Sequence, residues 1–553
     1  MKKFPKSHFP YYLYLLSYLL SAVIISFSGP TIPWSGRVAQ VLMPMALYVF
    51  LLSIWKRPSK VYLWLFPMTF LMAFSIVLIA LSGYAPVSVD MWLNLVTTNA
   101  AEAGNVLKML FPALVTISVL FIPAIIYAIV DLAKKRCEPL TAKFRKKGRW
   151  TALGLLIVSL PFLIHAESTG NYMFTADNVP FCNVYNLGLA GRQFYRSAMY
   201  EKRSADFTFD AKCTDVDTAQ VVVLVIGETS RAENWQLAGY NRETNPELSQ
   251  VEGLAFYKNC LSQSNTTHKS VPILLTTATA ENYDALYAQK GLMAAYREAG
   301  YHTVFLSNQS HNGSFIDFLA SQADETVFMR DSLGGEPYDE VLLPLMREQL
   351  SKHHGQKLLL VLHTFGSHTD YSNRYPSEFC HFKPVATEEA KPSERPKLIN
   401  AYDNSIRYTD HVLAQIIGDL KADNRPAAML YVSDHGEDIF DDERQWYLHA
   451  SYVPSYYQLH VPLLTWTNAA YAASHPDRVK LLEAHENMAV QSDCVFPTLL
   501  QLGGIKTKYS DKTLDLASPE FREKKNRKYL NDRCQPVDLE RCLLEIDRPL
   551  IRD

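Results

Sequence analysis

Along the first 166 residues the chain runs in long apolar stretches, and beyond them the apolar runs become short and interrupted. Five stretches, 10–28, 39–55, 62–82, 109–130 and 151–166, are nearly free of charge. A helix of about 20 apolar residues crosses roughly 30 Å of hydrocarbon, so these predict five transmembrane helices. Four further spans after the first exclude a cleaved signal peptide. Downstream, Val221–Ile226 is a continuous apolar run rich in valine, the pattern of a strand buried on both faces. Thr303–Leu306, Leu358–Leu362, Met429–Val432 and Val461–Trp466 read as further strands. Helical periodicity lies between them at 285–299 and 400–420. In the latter, Ile406, Val412, Leu413, Ile416, Ile417 and Leu420 form one stripe. Strands alternating with helices predict a mainly parallel sheet covered on both faces.

The expected organisation is therefore a five-helix transmembrane domain over 1–166, a linker at the membrane surface over 167–215, and an α/β domain over 216–553. The net charge of −2 hides an asymmetry: the first 165 residues hold 16 Lys+Arg against 4 Asp+Glu. A soluble cytosolic enzyme and a disordered chain are both excluded, and no nucleic-acid partner is expected. Positive residues cluster at Lys2, Lys3 and Lys6, at Lys56, Arg57 and Lys60, and eight times between Lys134 and Arg149. The alternate loops at 29–38 and 83–108 hold only Arg37 and Lys108. The positive-inside rule then places the N-terminus in the cytoplasm and everything after residue 166 outside. Seven of the 8 cysteines fall outside, where disulfides are permitted, and no C-x-x-C pair suggests a zinc ribbon.

The chemistry sits just past the predicted strands. Gly227-Glu228-Thr229 follows the first, His363 through His368 follows Leu358–Leu362, Asp434-His435-Gly436-Glu437 follows Met429–Val432, and His449 comes soon after. Sheets of this kind gather ligands at the carboxyl ends of their strands, and carboxylate oxygen with imidazole nitrogen suits zinc. A metal would also relieve repulsion among Glu228, Asp434 and Glu437. Ser262–Ser270 offers five hydroxyls (Ser262, Ser264, Thr266, Thr267 and Ser270) as possible nucleophiles. A plain polar loop leading into a helix capped by Ser270 has the same composition, and spacing alone does not choose between the hydroxyls.

Val221–Leu248 (VVVLVIGETSRAENWQLAGYNRETNPEL), Thr267-His-Lys-Ser-Val-Pro272 and Ser433-Asp-His-Gly-Glu437, in this order behind five spans, resemble the phosphoethanolamine transferases. These are inner-membrane enzymes with an alkaline-phosphatase/sulfatase-like periplasmic domain, and they include the lipid A-modifying enzymes of polymyxin resistance. The resemblance implies a five-helix membrane bundle followed by such a domain. It implies Zn2+ held by Glu228, Asp434, His435 and Thr267, with Thr267 also the nucleophile. His368 and His449 match the histidines that hold the transferred phosphate or a second metal, and Glu437 would share that shell. Asn94, Thr98 and Glu102 match the N-x-x-x-T-x-x-x-E pattern of an external substrate-binding loop, although Asn99 and Glu102 could equally form a helix capping box. The implied reaction takes phosphoethanolamine from phosphatidylethanolamine, by way of Thr267, to lipid A, lipopolysaccharide or another envelope glycan.

The sequence departs from the lipid A enzymes in two places. Many of them carry cysteines four residues before and six after the nucleophile, where this chain has Gln263 and Ile273. They also carry an Asn-Asn-Ser…Lys-Gly run after the strand ending at Leu306. Here the run is Ser307-Asn-Gln-Ser-His-Asn-Gly313, with His311 as the nearest substitute for the lysine. Two rivals are a phosphoglycerol transferase of the lipoteichoic acid synthase type and a non-catalytic membrane metal-binding scaffold. The G-E-T-x-R-A wording opposes the first and an intact nucleophile opposes the second. A sulfatase proper would need C-x-P-x-R, and Cys534-Gln-Pro-Val-Asp538 lacks the arginine.

Overall fold

The computed structural model describes residues 8–28, 32–82, 85–97, 111–169, 172–215, 219–386, 390–543 and 545–551. They form two compact units, Met1–Gln193 and Phe194–Asp553.

The first unit is helical. Helices α1 (Phe9–Ser26), α2 (Trp34–Leu52), α6 (Phe111–Lys134) and α7 (Ala142–Ser168) are long and apolar enough to cross a membrane. The stretch expected as one helix over 62–82 is instead two, α3 (Pro58–Trp64) and α4 (Phe66–Ser82), meeting at a 60° bend. Pro67 explains the break. It has no N–H to bond back across the junction, and its ring clashes with the carbonyl one turn earlier. Counted as one span, the bent pair makes five. A short helix, α5 (Val89–Thr97), follows. Helix α7 starts well before its apolar stretch, capped by Thr141, whose hydroxyl accepts the Phe144 N–H.

Residues 167–215, where no period was legible, contain the helices Phe174–Asp177, Phe181–Ala198 and Tyr200–Ser204. The longest of these buries Cys182, Asn183, Asn186 and Ala190. Asn183 donates to Ser75 and accepts from the Val87 N–H, and Asn186 donates to the Val87 carbonyl. Its inner face is amide rather than aliphatic, so hydropathy did not reveal it.

The second unit is built on a seven-stranded sheet with strands β1 (Val221–Gly227), β2 (Leu254–Tyr257), β3 (His302–Ser307), β4 (Glu325–Phe328), β5 (Leu358–His363), β6 (Ala427–Ser433) and β7 (Leu463–Thr467). Their spatial order is β2-β7-β6-β1-β5-β3-β4. All neighbours are parallel except β7, which runs antiparallel to both β6 and β2. Strands β2 and β4 were not anticipated: both are four-residue edge strands, and the apolar run of β2 (LAFY) is too short to stand out while β4 (ETVF) is half polar. Alternate residues of β1 enter separate cores, Val222, Leu224 and Ile226 on one face and Val221, Val223 and Val225 on the other.

The helical pattern at 400–420 is the middle of a helix over Arg395–Asp423, whose stripe packs into the second of those cores. The pattern at 285–299 resolves into a 3-10 turn, Tyr283–Tyr287, and a helix, Leu292–Glu298, broken at Gly291. A side chain at Gly291 would stand 2.9 Å from the Leu275 carbonyl oxygen.

Leu360 lies wholly buried in β5, between β1 and β3. Leu360→Ala should cost the second unit about 2–5 kcal/mol. In the detergent-solubilised protein this appears as a lower urea midpoint with an unchanged slope.

Candidate active site

Register brings the polar strand ends together. Gly227 of β1 pairs with Ser433 of β6, so the next residues, Glu228 and Asp434, emerge side by side. On the other flank Ile226 pairs with His363, so the loop 364–368 starts at the same edge. The loop is anchored by Thr364 N–H to the Ile226 carbonyl and Ser367 N–H to the Glu228 carbonyl, both 3.0 Å. Gly366 has φ +52, and a side chain there would stand 2.6 Å from the Glu228 carbonyl oxygen. Only glycine fits this approach.

Helix Thr267–Leu275 presents its first residue to the same edge. It begins four residues earlier than a Ser270 cap would place it, and Ser270 lies inside it, donating to the Thr266 carbonyl. Thr267 Oγ1 is 3.2 and 3.4 Å from the two Glu228 oxygens and 3.1 Å from His435 Nε2. His435 Nε2 is in turn 3.3 Å from Glu228 Oε1 and 3.3 Å from Asp434 Oδ2. A helix N-terminus also places favourable dipole at the hydroxyl.

These donors fit a tetrahedral metal ion. Ligand atoms about 2.0–2.1 Å from zinc lie roughly 3.3 Å apart, close to the separations just given. Glu228, Asp434 and His435 offer ligand atoms within 4.8 Å of one another. Among the described residues Asp434 Oδ2 is buried with no hydrogen-bond partner, a costly state for a carboxylate oxygen unless it meets a cation. His435 Nδ1 contacts the Gly436 carbonyl at 2.9 Å; with the proton on that nitrogen, Nε2 turns its lone pair to the cluster. The electrostatics agree. Burial, then the Glu228 charge, pushes the Asp434 carboxyl up to about 7. Against burial, His435 holds Glu228 well below the usual carboxylate range. Against burial, Asp434 and Glu228 in turn raise His435 to about 10. The pocket demands positive charge.

His449 and His368 flank the cluster. The His435 and His449 rings are 4.1 Å apart and the His368 and His449 rings 6.2 Å. Burial and the neighbouring His435 and His368 depress the His449 pKa, so it is neutral near pH 7. Glu437 accepts from Tyr371 Oη at 2.7 Å and contacts His449 Nδ1 at 3.0 Å, and so orients its neighbours. Burial pushes its carboxyl up to about 7. His311 pairs with Asp331, its imidazole 2.6 Å from that carboxylate and tilted against the Phe328 ring. Thr98 and Glu102, with the capping partner Asn99, lie outside the described residues; of Asn94 only its place in α5 is described.

Several supporting residues were not foreseen. Asp339 accepts the N–H groups of Phe365 and Gly366 at 2.7 and 2.8 Å and fixes the loop of His368. Arg231, in the motif but given no role, is 3% exposed and bonds Asp441 at 2.6 Å, Asn234 and the Glu437 carbonyl. Gln263 bonds Asp493 and accepts the Ala280 N–H. The thiols of Cys260 and Cys494 are buried and unbridged.

Residues 220–505 match the family model described as Sulfatase. The phosphoethanolamine transferase EptA of Escherichia coli (strain K12) is 34% identical over 300 residues, 52% of this chain and 54% of that one. The match thus spans about half the length of that relative. The C-terminal periplasmic domain of EptC from Escherichia coli, solved in complex with Zn, is 27% identical with a TM-score of 0.55, covering 61% of this chain and 97% of that structure. The integral membrane lipooligosaccharide phosphoethanolamine transferase A of Neisseria meningitidis shares the fold over 91% of this chain and 98% of its own, with a TM-score of 0.70 at 22% identity. Glu228, Thr267 and the Asp434–Glu437 turn all fall inside a family match that covers just over half of the sequence, so this chain belongs to the sulfatase family and within it resembles the membrane-bound phosphoethanolamine transferases.

Proposed function

We propose that this protein is a zinc-dependent phosphoethanolamine transferase of the inner membrane, with its N-terminus in the cytoplasm and residues 167–553 in the periplasm. Its donor is phosphatidylethanolamine, and its acceptor is lipid A, lipopolysaccharide or another envelope glycan. The observation that carries this reading is the convergence of Thr267 Oγ1, at a helix N-terminus, with Glu228, Asp434 and His435 in a pocket that demands a cation. A membrane-embedded donor accounts for apolar spans and a phosphotransfer site in one chain.

Glu228, Asp434, His435 and Thr267 would hold the zinc. Bound there, zinc supplies Lewis-acid charge that favours the alkoxide of an alcohol and offsets charge on a phosphoryl group. Thr267 Oγ1 forms a bond to phosphorus while the bond from phosphorus to the diacylglycerol oxygen breaks. The Thr267 proton ends on diacylglycerol. An acceptor oxygen then attacks the same phosphorus, the Thr267–phosphorus bond breaks, and the acceptor's proton ends on Thr267. His449, held neutral, is suited to take that proton in passing, and His368 faces the same space. The substrate-binding role of Asn94, Thr98 and Glu102 is part of the same proposal.

Thr267→Ala should lower transfer by several orders of magnitude, since no other oxygen replaces the nucleophile, while Thr266→Ala keeps most activity. Peptide mapping after incubation with labelled phosphatidylethanolamine checks this, and label on Thr266, Ser264 or Ser270 would refute it. Asp434→Ala should lose one equivalent of zinc in elemental analysis of the purified protein; full retention contradicts the ligand set. A reporter fused after residue 215 should be active only outside the cytoplasm, and cytoplasmic activity would reverse the orientation.

A further inference from the structure

The amino ends of the parallel strands carry a second cluster, about 20 Å along a six-residue strand from the site just described. His302 is the first residue of β3 and Glu325 the first of β4. His353 caps the helix Leu342–Lys352. His302 Nε2 lies 3.3 Å and His353 Nε2 3.5 Å from the same oxygen, Glu325 Oε1. The two rings stack at 3.8 Å and 19°, and ligand atoms of all three residues lie within 4.8 Å of one another.

His353 gives the cluster its direction. It is 8% exposed, its carbonyl accepts from Arg425 at 2.7 Å, and its Nδ1 meets Gln356 Oε1 at 3.0 Å. Since that amide oxygen can only accept, Nδ1 carries a proton, and in the neutral ring Nε2 is then a lone pair. Nε2 is buried with no hydrogen-bond partner among the described residues and faces Glu325, which is itself an acceptor. Two acceptors turned towards each other call for a cation between them. A ligating imidazole fixed through its other nitrogen is the usual support of a metal site. The remaining contacts of Glu325 are Lys352 Nζ at 2.6 Å on Oε1 and Gln349 Nε2 at 2.9 Å on Oε2. His302 Nδ1 lies 3.8 Å from Asp324.

We propose that His302, Glu325 and His353 form a second zinc site, separate from catalysis, that clasps β3 and β4 to the end of the helix Leu342–Lys352. Two imidazoles and one carboxylate are a borderline-soft donor set of the kind zinc takes, with water completing the shell. Closing donors now within 4.8 Å to the roughly 3.3 Å edge of a zinc tetrahedron requires one imidazole, that of His302, to turn out of the stack with His353. The His302 side chain, 22% exposed, is free to do so. Lys352 is the competitor: its ammonium occupies the oxygen that the metal needs.

The test is zinc stoichiometry and affinity of the full-length protein in detergent, stripped with chelator and reloaded with Zn2+ alone. Wild type should hold one equivalent more than His302→Ala or His353→Ala, and both variants should keep transfer activity. Zinc at this site should bind more weakly by more than the roughly 10-fold to 100-fold that loss of an outer-shell partner costs, once a ligand itself is lost. Lys352→Ala should tighten it by about 5-fold, the worth of an exposed ion pair. His302→Ala, at a half-buried position, guards against a folding defect in His353→Ala. Equal stoichiometry in wild type and His302→Ala, or weaker binding in Lys352→Ala, would overturn the site. Loss of an equivalent only in Asp434→Ala would overturn it while leaving the catalytic reading intact. Loss only in the histidine variants would do the reverse.

Discussion

Two carboxylates and an imidazole share a pocket closed to water, and this crowding is the constraint from which the rest of the catalytic unit follows. Glu228, Asp434 and His435 are each 2% exposed or less. Burying such groups is expensive unless opposite charge lies among them. The electrostatic state of the pocket, with Asp434 raised and Glu228 depressed around His435, is that of a site looking for a cation. Thr267 enters this field at a helix end, where a negative oxygen is best tolerated.

Holding these groups so close requires a stiff frame. The parallel register of β1 with β6 and β5 supplies it, because each strand is hydrogen-bonded on both sides and packed on both faces. Around the pocket, charged groups fix backbone rather than substrate. Asp339 holds the loop of His368 by two backbone amides, and the buried pair of Arg231 with Asp441 ties the turn after β1 to the segment after Glu437. A buried pair of this kind contributes little net stability but is costly to break singly. Its value here is the geometry it fixes.

The helical unit uses a different cement. Tyr11 with Ser53, Tyr14 with Ser59, Tyr18 with Thr69, and Ser59 with Asp131 are hydrogen-bonded inside its core. Where lipid tails are as apolar as leucine, aliphatic side chains do not favour helix contact, and polar pairs with close packing take over.

Hydrophobic pattern alone determined the class of each part of this chain. Charge-free stretches of membrane length and valine-rich runs such as Val221–Ile226 carry their meaning locally, because burial on all sides leaves no polar position to confuse the period. The strand-end residues Glu228, His368, Asp434, His435, Glu437 and His449 were legible for the same reason, each following a readable strand. Tertiary structure decided what depends on neighbours far along the chain. The bend at Pro67, the amide-faced helix Phe181–Ala198 and the edge strand β4 lack a local apolar signal, and the four-residue apolar run of β2 is too short to read as a strand. Asp339 is 26 residues from the amide it holds at Phe365, and Tyr371 is 66 from Glu437. His302, Glu325 and His353 look like scattered surface residues until the parallel register draws their strands and helix to one edge. Such contacts are written in register and packing, and no window of sequence contains both partners.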